Sequence, residues 1–198
     1  MKKQMMAAAV LAACSFGAAA QSVGETPWMV RARAVYLDSV NGDSTPLGLT
    51  VNNKTIPEVD ISYFFSKNIA AELVLTVPQR HTVYSNGSSI GTFKHLPPTL
   101  TVQYHFTDMP GIKPYVGAGI NYTRISQVNL LGGAADLEND SIGGALQVGV
   151  DIPLDKKFSV NFDLKKVYIR SDVFSGGSNV GTFKIDPVLF GVGLGYRF

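Results

Sequence analysis

In this chain of 198 residues, 17 lysines and arginines stand against 15 aspartates and glutamates, a formal net charge of +2. That is too small to mark a nucleic-acid binder, and the basic residues form no patch interleaved with stacking aromatics. Hydrophobic residues make up 45% of the chain, with 20 Gly, 8 Tyr and 11 Phe, yet no stretch beyond the first 20 residues approaches the ~20 apolar residues of a transmembrane helix. Apolar content without long apolar runs implies strands of period two, and the length suits one domain.

The chain opens with Lys2 and Lys3, an apolar stretch from Met5 to Ala13, and Ala18-Ala19-Ala20 before Gln21. This predicts a signal peptide over residues 1–20, cleaved after Ala20. Leu11-Ala12-Ala13-Cys14 also fits a lipoprotein processing box, in which Cys14 is acylated.

Eight alternating runs follow, over residues 21–198. Trp28 to Leu37 sets Arg31, Arg33 and Val35 on one face, which cannot be a lipid face. Pro57 to Phe65 opposes Glu58, Asp60 and Ser62 to Val59, Ile61 and Tyr63. Ile69 to Val77 follows after Ser66-Lys67-Asn68, with Glu72 and Val74 on its inner face; a turn of three residues between alternating runs is a hairpin. Thr99 to Phe106 and Tyr115 to Tyr122 flank a breaker-rich turn at Thr107–Ile112. Ile142 to Ile152 turns back at Pro153–Lys157 into Phe158 to Leu164, whose inner face carries Asp163 and Lys165. Lys166 falls out of pattern and is expected to snorkel at a rim. The last run sets Val188, Phe190, Val192, Leu194, Tyr196 and Phe198 against Leu189, Gly191, Gly193, Gly195 and Arg197.

Large apolar residues facing lipid and small or polar ones facing a lumen predict an all-β fold, an eight-stranded antiparallel transmembrane barrel. The terminal Tyr196 and Phe198 resemble the C-terminal signature read by the outer-membrane assembly machinery, which makes that machinery and outer-membrane lipid the expected partners. Short connections belong to the periplasm and long ones to the exterior. The long ones, Asp38–Ile56, Gln79–Leu96, Arg124–Ser141 and Ser171–Phe183, read as loops rich in Gly, Ser and Asn.

On this path the inward charges Arg31, Arg33, Asp60, Glu72, Asp163 and Lys165 fall in the middle or lower barrel, where pairing makes them a lumen plug or simple lumen filling. Inward Val35, Val74, Val167, Ile169 and Leu189 fall towards or above the middle, where polar residues are usual, and are candidates for an apolar channel lining. Ile142 joins them if Gly143-Gly144 forms a bulge that turns it inward. Pro57, Pro78, Pro97, Pro98 and Pro187 lie at outer strand ends, each without an N–H for the ladder. They either end strands there or mark points of lateral opening.

His81, His95 and His105 are the only histidines. The first two flank one loop, where they are expected to be solvated, and the third belongs near the opposite end of the barrel. No metal spacing, phosphate loop or nucleophile elbow appears, so neither catalysis, metal nor cofactor is expected.

His95-Leu96-Pro97-Pro98-Thr99, Gln103-Tyr104-His105-Phe106, the run Pro114-Tyr115-Val116-Gly117-Ala118-Gly119-Ile120-Asn121-Tyr122-Thr123, Gly149-Val150-Asp151, Asp186-Pro187 and Gly195-Tyr196-Arg197-Phe198 together resemble the OmpW family of outer-membrane proteins, which includes the alkane-uptake porin AlkL. The resemblance implies an eight-stranded barrel with an apolar channel that admits small hydrophobic molecules and releases them sideways into the membrane. A structural, stress-related or receptor role for phage, toxin or adhesion is the alternative. One departure stands at Val77-Pro78-Gln79-Arg80-His81, where the family often has Thr-Pro-Phe before the basic residue and the histidine; Gln79 and Arg80 make this segment more polar.

Overall fold

The computed structural model describes residues 26–198; the expected signal peptide, residues 1–20 with Cys14, lies outside them. Within this span run β1 (Trp28–Asp38), β2 (Gly42–Asp43), β3 (Leu49–Val51), β4 (Lys54–Phe64), β5 (Ile69–Thr76), β6 (Gln79–Ser85), β7 (Ser88–Leu96), β8 (Thr99–His105), β9 (Lys113–Leu130), β10 (Ala135–Leu137), β11 (Asp140–Pro153), β12 (Phe158–Val167), β13 (Arg170–Ser175), β14 (Ser178–Lys184) and β15 (Val188–Arg197). Eight of them close on themselves, all antiparallel, in the order β1, β4, β5, β8, β9, β11, β12, β15 and back to β1. Closure leaves no strand edge facing lipid, the one condition under which a sheet can cross a bilayer.

Each predicted run is a barrel strand, because burial alternates as the sequence does: β1 buries Met29, Arg31, Arg33, Val35 and Leu37 and turns the residues between them outward. The outward faces carry Val59, Leu73, Leu100, Val116, Leu146, Leu164, Phe190 and Leu194, all exposed. At the periplasmic rim aromatic rings meet edge to face. Trp28 packs on Tyr63 at 4.8 Å and Tyr63 on Phe65 at 5.1 Å, and Tyr196 touches both Phe158 and Phe198 at 5.0 Å. Lys166 keeps the outward phase of β12, with its Nζ on the Asp186 carbonyl oxygen and over the Tyr168 ring, as a snorkelling rim lysine should be.

The long connections differ from the expectation of irregular loops. Beyond the membrane β9 continues to Leu130 and pairs there with β7, while β6 pairs with β7 and β3, and β13 with β14 and β10. The two hairpins turn at Asn86-Gly87, with φ of 47° and 83°, and at Gly176-Gly177, with φ of 57° and 82°. Two successive residues in the left-handed region define a type I′ turn, whose twist matches that of the strands it joins. The cap so formed buries Leu49, Val51, Val83, Phe93, Ile125, Leu130, Leu137, Val173 and Phe183 in one apolar cluster, continuous with Val35, Val167, Ile169 and Leu189 inside the barrel.

Candidate functional site

The inward residues of the lower barrel meet in one network, and all six expected plug residues belong to it. Arg31 donates from Nε and Nη2 to both oxygens of Asp151, at 3.1 and 2.7 Å, and from Nη1 to Asp60 at 3.1 Å, Ser62 at 2.9 Å and Glu72 at 3.4 Å. Arg33 donates to Asn161 and Glu58, both at 2.7 Å, and to Glu72 at 3.2 Å; its Nη2 also lies 2.8 Å from Asp60 Oδ2, off the line of a hydrogen bond. Lys165 Nζ reaches Glu58 at 3.2 Å and Asp163 at 3.7 Å. Glu58 and Asp151 are two further carboxylates of the network, neither of them among the expected plug residues.

Neutral donors complete the bonding of Glu72 and Asp163. Gln103 donates to Glu72 at 2.8 Å, Gln147 to Glu72 at 2.9 Å and to Asp163 at 2.6 Å, and the Tyr115 hydroxyl to Asp163 at 2.7 Å. The Tyr115 ring lies across Gly149, where an added Cβ would stand 2.4 Å from the ring, so only glycine admits it. Arg31, Asp60, Glu72 and Lys165 are essentially inaccessible to solvent. Three cations and five carboxylates packed in this way close the lower lumen.

Above the plug the lining changes character. Val35, Val74, Val167, Ile169 and Leu189 are inward and buried, as expected, and they are joined by Leu37 and Ile56. Most of these, with Thr76, Pro97, Thr99, Asn121, Pro187 and the plug residues Glu58 and Lys165, line a cavity of about 20 Å³, room for roughly one water molecule. Ile142 does not take part: it is 70% exposed and pairs with Tyr122. The β9–β11 register runs without a shift through Gly143 and Gly144, so there is no bulge to turn it inward.

The wall around this chamber is unevenly bonded. Pro57 lies within β4 rather than at its end. The strand continues to Lys54 along β1, whereas its pairing with β5 stops at Glu58 and Thr76. On its other side β5 stops pairing with β8 at Val74 and Thr99, just below Pro97 and Pro98. The outer tip of β5, ending at Pro78, is therefore flanked on both sides by ladders that proline has cut short. The Thr76 hydroxyl on the Pro57 carbonyl at 2.7 Å and Lys54 Nζ on the Arg80 carbonyl at 3.3 Å bridge the gap towards β4 and β6. Pro187 lies just before the outer end of β15 and fits the strand-end reading rather than lateral opening: the Val167 N–H donates to its carbonyl at 3.1 Å and the Ile185 N–H to Ile169 at 2.9 Å, so the wall stays stitched there.

His81 and His95 also depart from expectation. They lie on the inner face of the β6–β7 hairpin, fully buried rather than solvated, with ring centres 4.7 Å apart. Burial pushes both below the ordinary imidazole range, His95 down to about 3, helped by the neighbouring charge of Lys54. His105 sits at the other end of the barrel, where its ring nitrogen lies 2.9 Å from Gln103 Oε1.

This architecture has known counterparts. The chain is 43% identical over 188 residues to an uncharacterized outer-membrane protein, y4mB, of Sinorhizobium fredii, an alignment covering 89% of this chain and 82% of that protein. It is 34% identical to outer membrane protein W of Escherichia coli, over the full length of both. In fold it matches the crystal structure of OprG from Pseudomonas aeruginosa with a TM-score of 0.76 at 24% identity, over 88% of this chain and 97% of that one. The OmpW family model matches residues 29–198, every barrel strand but for its first residue. The chain belongs to the OmpW family and is a β-barrel of the bacterial outer membrane.

Proposed function

We propose that this barrel is a narrow apolar conduit for passive uptake of small hydrophobic molecules, entering through the cap and leaving sideways into the membrane beside Pro57, Pro78, Pro97 and Pro98. The observation that carries the reading is the change of lining within one lumen. Ion pairs fill the lower half and leave no straight path to the periplasm, while the upper half is lined largely by aliphatic side chains outside that network, which its cavity meets only at Glu58 and Lys165. Barrel interiors are ordinarily polar, so an aliphatic stretch needs a reason. A cavity of about 20 Å³ describes the closed state. A solute larger than water has to displace the packed side chains, and the chamber's weakest wall is the proline-flanked tip of β5.

Val74→Asp tests this. It places a further carboxylate in the cavity lined by Leu37, Ile56, Glu58 and Val167, opposite Asp60 in the β4–β5 register, and desolvating it costs more than the ~1–2 kcal/mol of contact one valine supplies. In cells lacking their own copy, entry of a mid-chain alkane or fatty ester should fall sharply with Val74→Asp while folded barrel persists, because the lumen face tolerates charge. Equal uptake by Val74→Asp and the wild type, with loss only when the cap hairpins are exchanged, would overturn the conduit in favour of a receptor role for the cap.

A further inference from the structure

We infer that the imidazoles of His81 and His95, at the base of the β6–β7 hairpin, form a binding site for a single borderline divalent transition-metal ion such as Cu²⁺ or Zn²⁺. The inference stands apart from the uptake reading and rests on other residues. Buried polar atoms are almost always satisfied. Here three nitrogens have no hydrogen-bond partner: His81 Nε2 and both ring nitrogens of His95. They belong to two rings on one face of one hairpin, where Gln79 pairs with His95 and His81 with Phe93.

The environment of His81 is that of a ligand. Its Nδ1 lies 3.1 Å from the Asn52 carbonyl oxygen, which can only accept, so Nδ1 carries the proton and Nε2 presents a bare lone pair. A metal-bound histidine is normally oriented in this way, by donating its second ring N–H to a carbonyl or carboxylate. Imidazole suits copper, zinc and nickel rather than calcium or magnesium. Two imidazoles holding one ion at about 2.0–2.1 Å with a near-tetrahedral angle place their ring centres about 5 Å apart; the observed separation is 4.7 Å, with the planes tilted by 46°.

Gln79 supplies a third donor. It is buried opposite His95, and its amide nitrogen already donates to the Val77 carbonyl at 2.9 Å, which fixes the side chain and leaves its oxygen for another partner. The neighbouring cation, Lys54, is directed towards the Arg80 carbonyl. It opposes a bound cation and sets the site's affinity below that of a full three-histidine centre.

The experiment uses untagged protein refolded in detergent, stripped with EDTA and titrated with Cu²⁺, with Zn²⁺ as competitor. One ion per barrel should bind, with nitrogen hyperfine structure from two imidazoles in the electron paramagnetic resonance spectrum. His81→Phe and His95→Leu, which place apolar groups in an apolar setting, should retain the heat-resistant folded form and weaken binding at least tenfold, whereas Lys54→Gln should tighten it severalfold. Absence of saturable binding by the wild type, or equal binding by the folded histidine variants, overturns the site. Should either histidine variant fail to fold, the nitrogen count in the wild type and the direction of the Lys54→Gln effect decide the matter by themselves.

Discussion

Arg31→Met removes the cation at the centre of the plug and leaves the volume of the side chain largely in place. In the wild type the Arg31 guanidinium serves Asp151 with two hydrogen bonds and Asp60, Ser62 and Glu72 with one each, entirely out of solvent. Methionine leaves Asp151 with Asn161 as its hydrogen-bonding partner and Asp60 with Arg33 alone for charge compensation. Breaking a buried pair by removing one partner costs about 3–5 kcal/mol, because the other charge stays buried without compensation. For a chain of this size each kcal/mol moves the midpoint of unfolding by roughly 2–4 °C, so a drop on the order of 10 °C is expected.

The same network predicts an asymmetry. Carboxylates outnumber cations five to three, so Glu72→Gln takes away a charge that is in excess and leaves Arg31 on Asp60 and Asp151 and Arg33 on Glu58 and Asp60. Its cost should be smaller, about 1–3 kcal/mol, from an amide donor facing the donors of Gln103 and Gln147. Thermal unfolding followed by circular dichroism in detergent, with the heat-modified gel shift as a second probe, measures both variants. Equal small losses, under about 1 kcal/mol each, would mean that water reaches these groups and that the plug is not a desolvated network.

Two further expectations concern other parts of the molecule. Deleting Phe198 removes its ring contact with Tyr196 and the terminal bonds to Trp28 and Thr26; insertion should slow and folded protein in outer-membrane fractions should fall, and an undiminished yield would refute an assembly role for the terminus. Burial holds His81 and His95 below the ordinary imidazole value in the folded cap, with the charge of Lys54 acting on both and that of His81 on His95. The unfolded cap therefore takes up protons first: stability is complete above about pH 6.5 and is lost as the pH falls towards the folded value. At pH 5 the loss reaches about 2 kcal/mol for His95, which burial lowers to about 3. Hydrogen exchange in EDTA should show the β6–β7 hairpin less protected at pH 5 than at pH 7.5 in the wild type and less so in His95→Leu, and identical protection in the wild type at the two pH values would refute it.

Strand positions and lumen faces were readable because a period of two is a local property: Arg31, Arg33 and Val35 on one face of β1 allow a single interpretation in lipid. Whether an inward charge finds a partner is not local. Glu58 and Asp151 lie on inward faces like the other carboxylates, but that Arg31 reaches across the lumen to Asp151, 120 positions away, depends on barrel curvature. The ordered cap was legible and passed over. Asn86-Gly87 and Gly176-Gly177 are type I′ turn pairs, and Arg80 to Tyr84 alternates around them as a strand does, yet polar composition suggested loops. The histidines followed from that error, since only a folded hairpin over a second layer buries them. Ile142 shows the reverse: its simple phase was right, and the bulge at Gly143-Gly144 did not form.

The ion-paired lower half of the lumen should also oppose the passage of ions. Filled by side chains that already bond one another, it offers a proton, metal ion or charged antibiotic no open path, and a free ion would have to exchange its hydration for groups already engaged with one another. On the uptake reading proposed above, each further copy in the membrane adds a route for apolar solutes without adding one for ions.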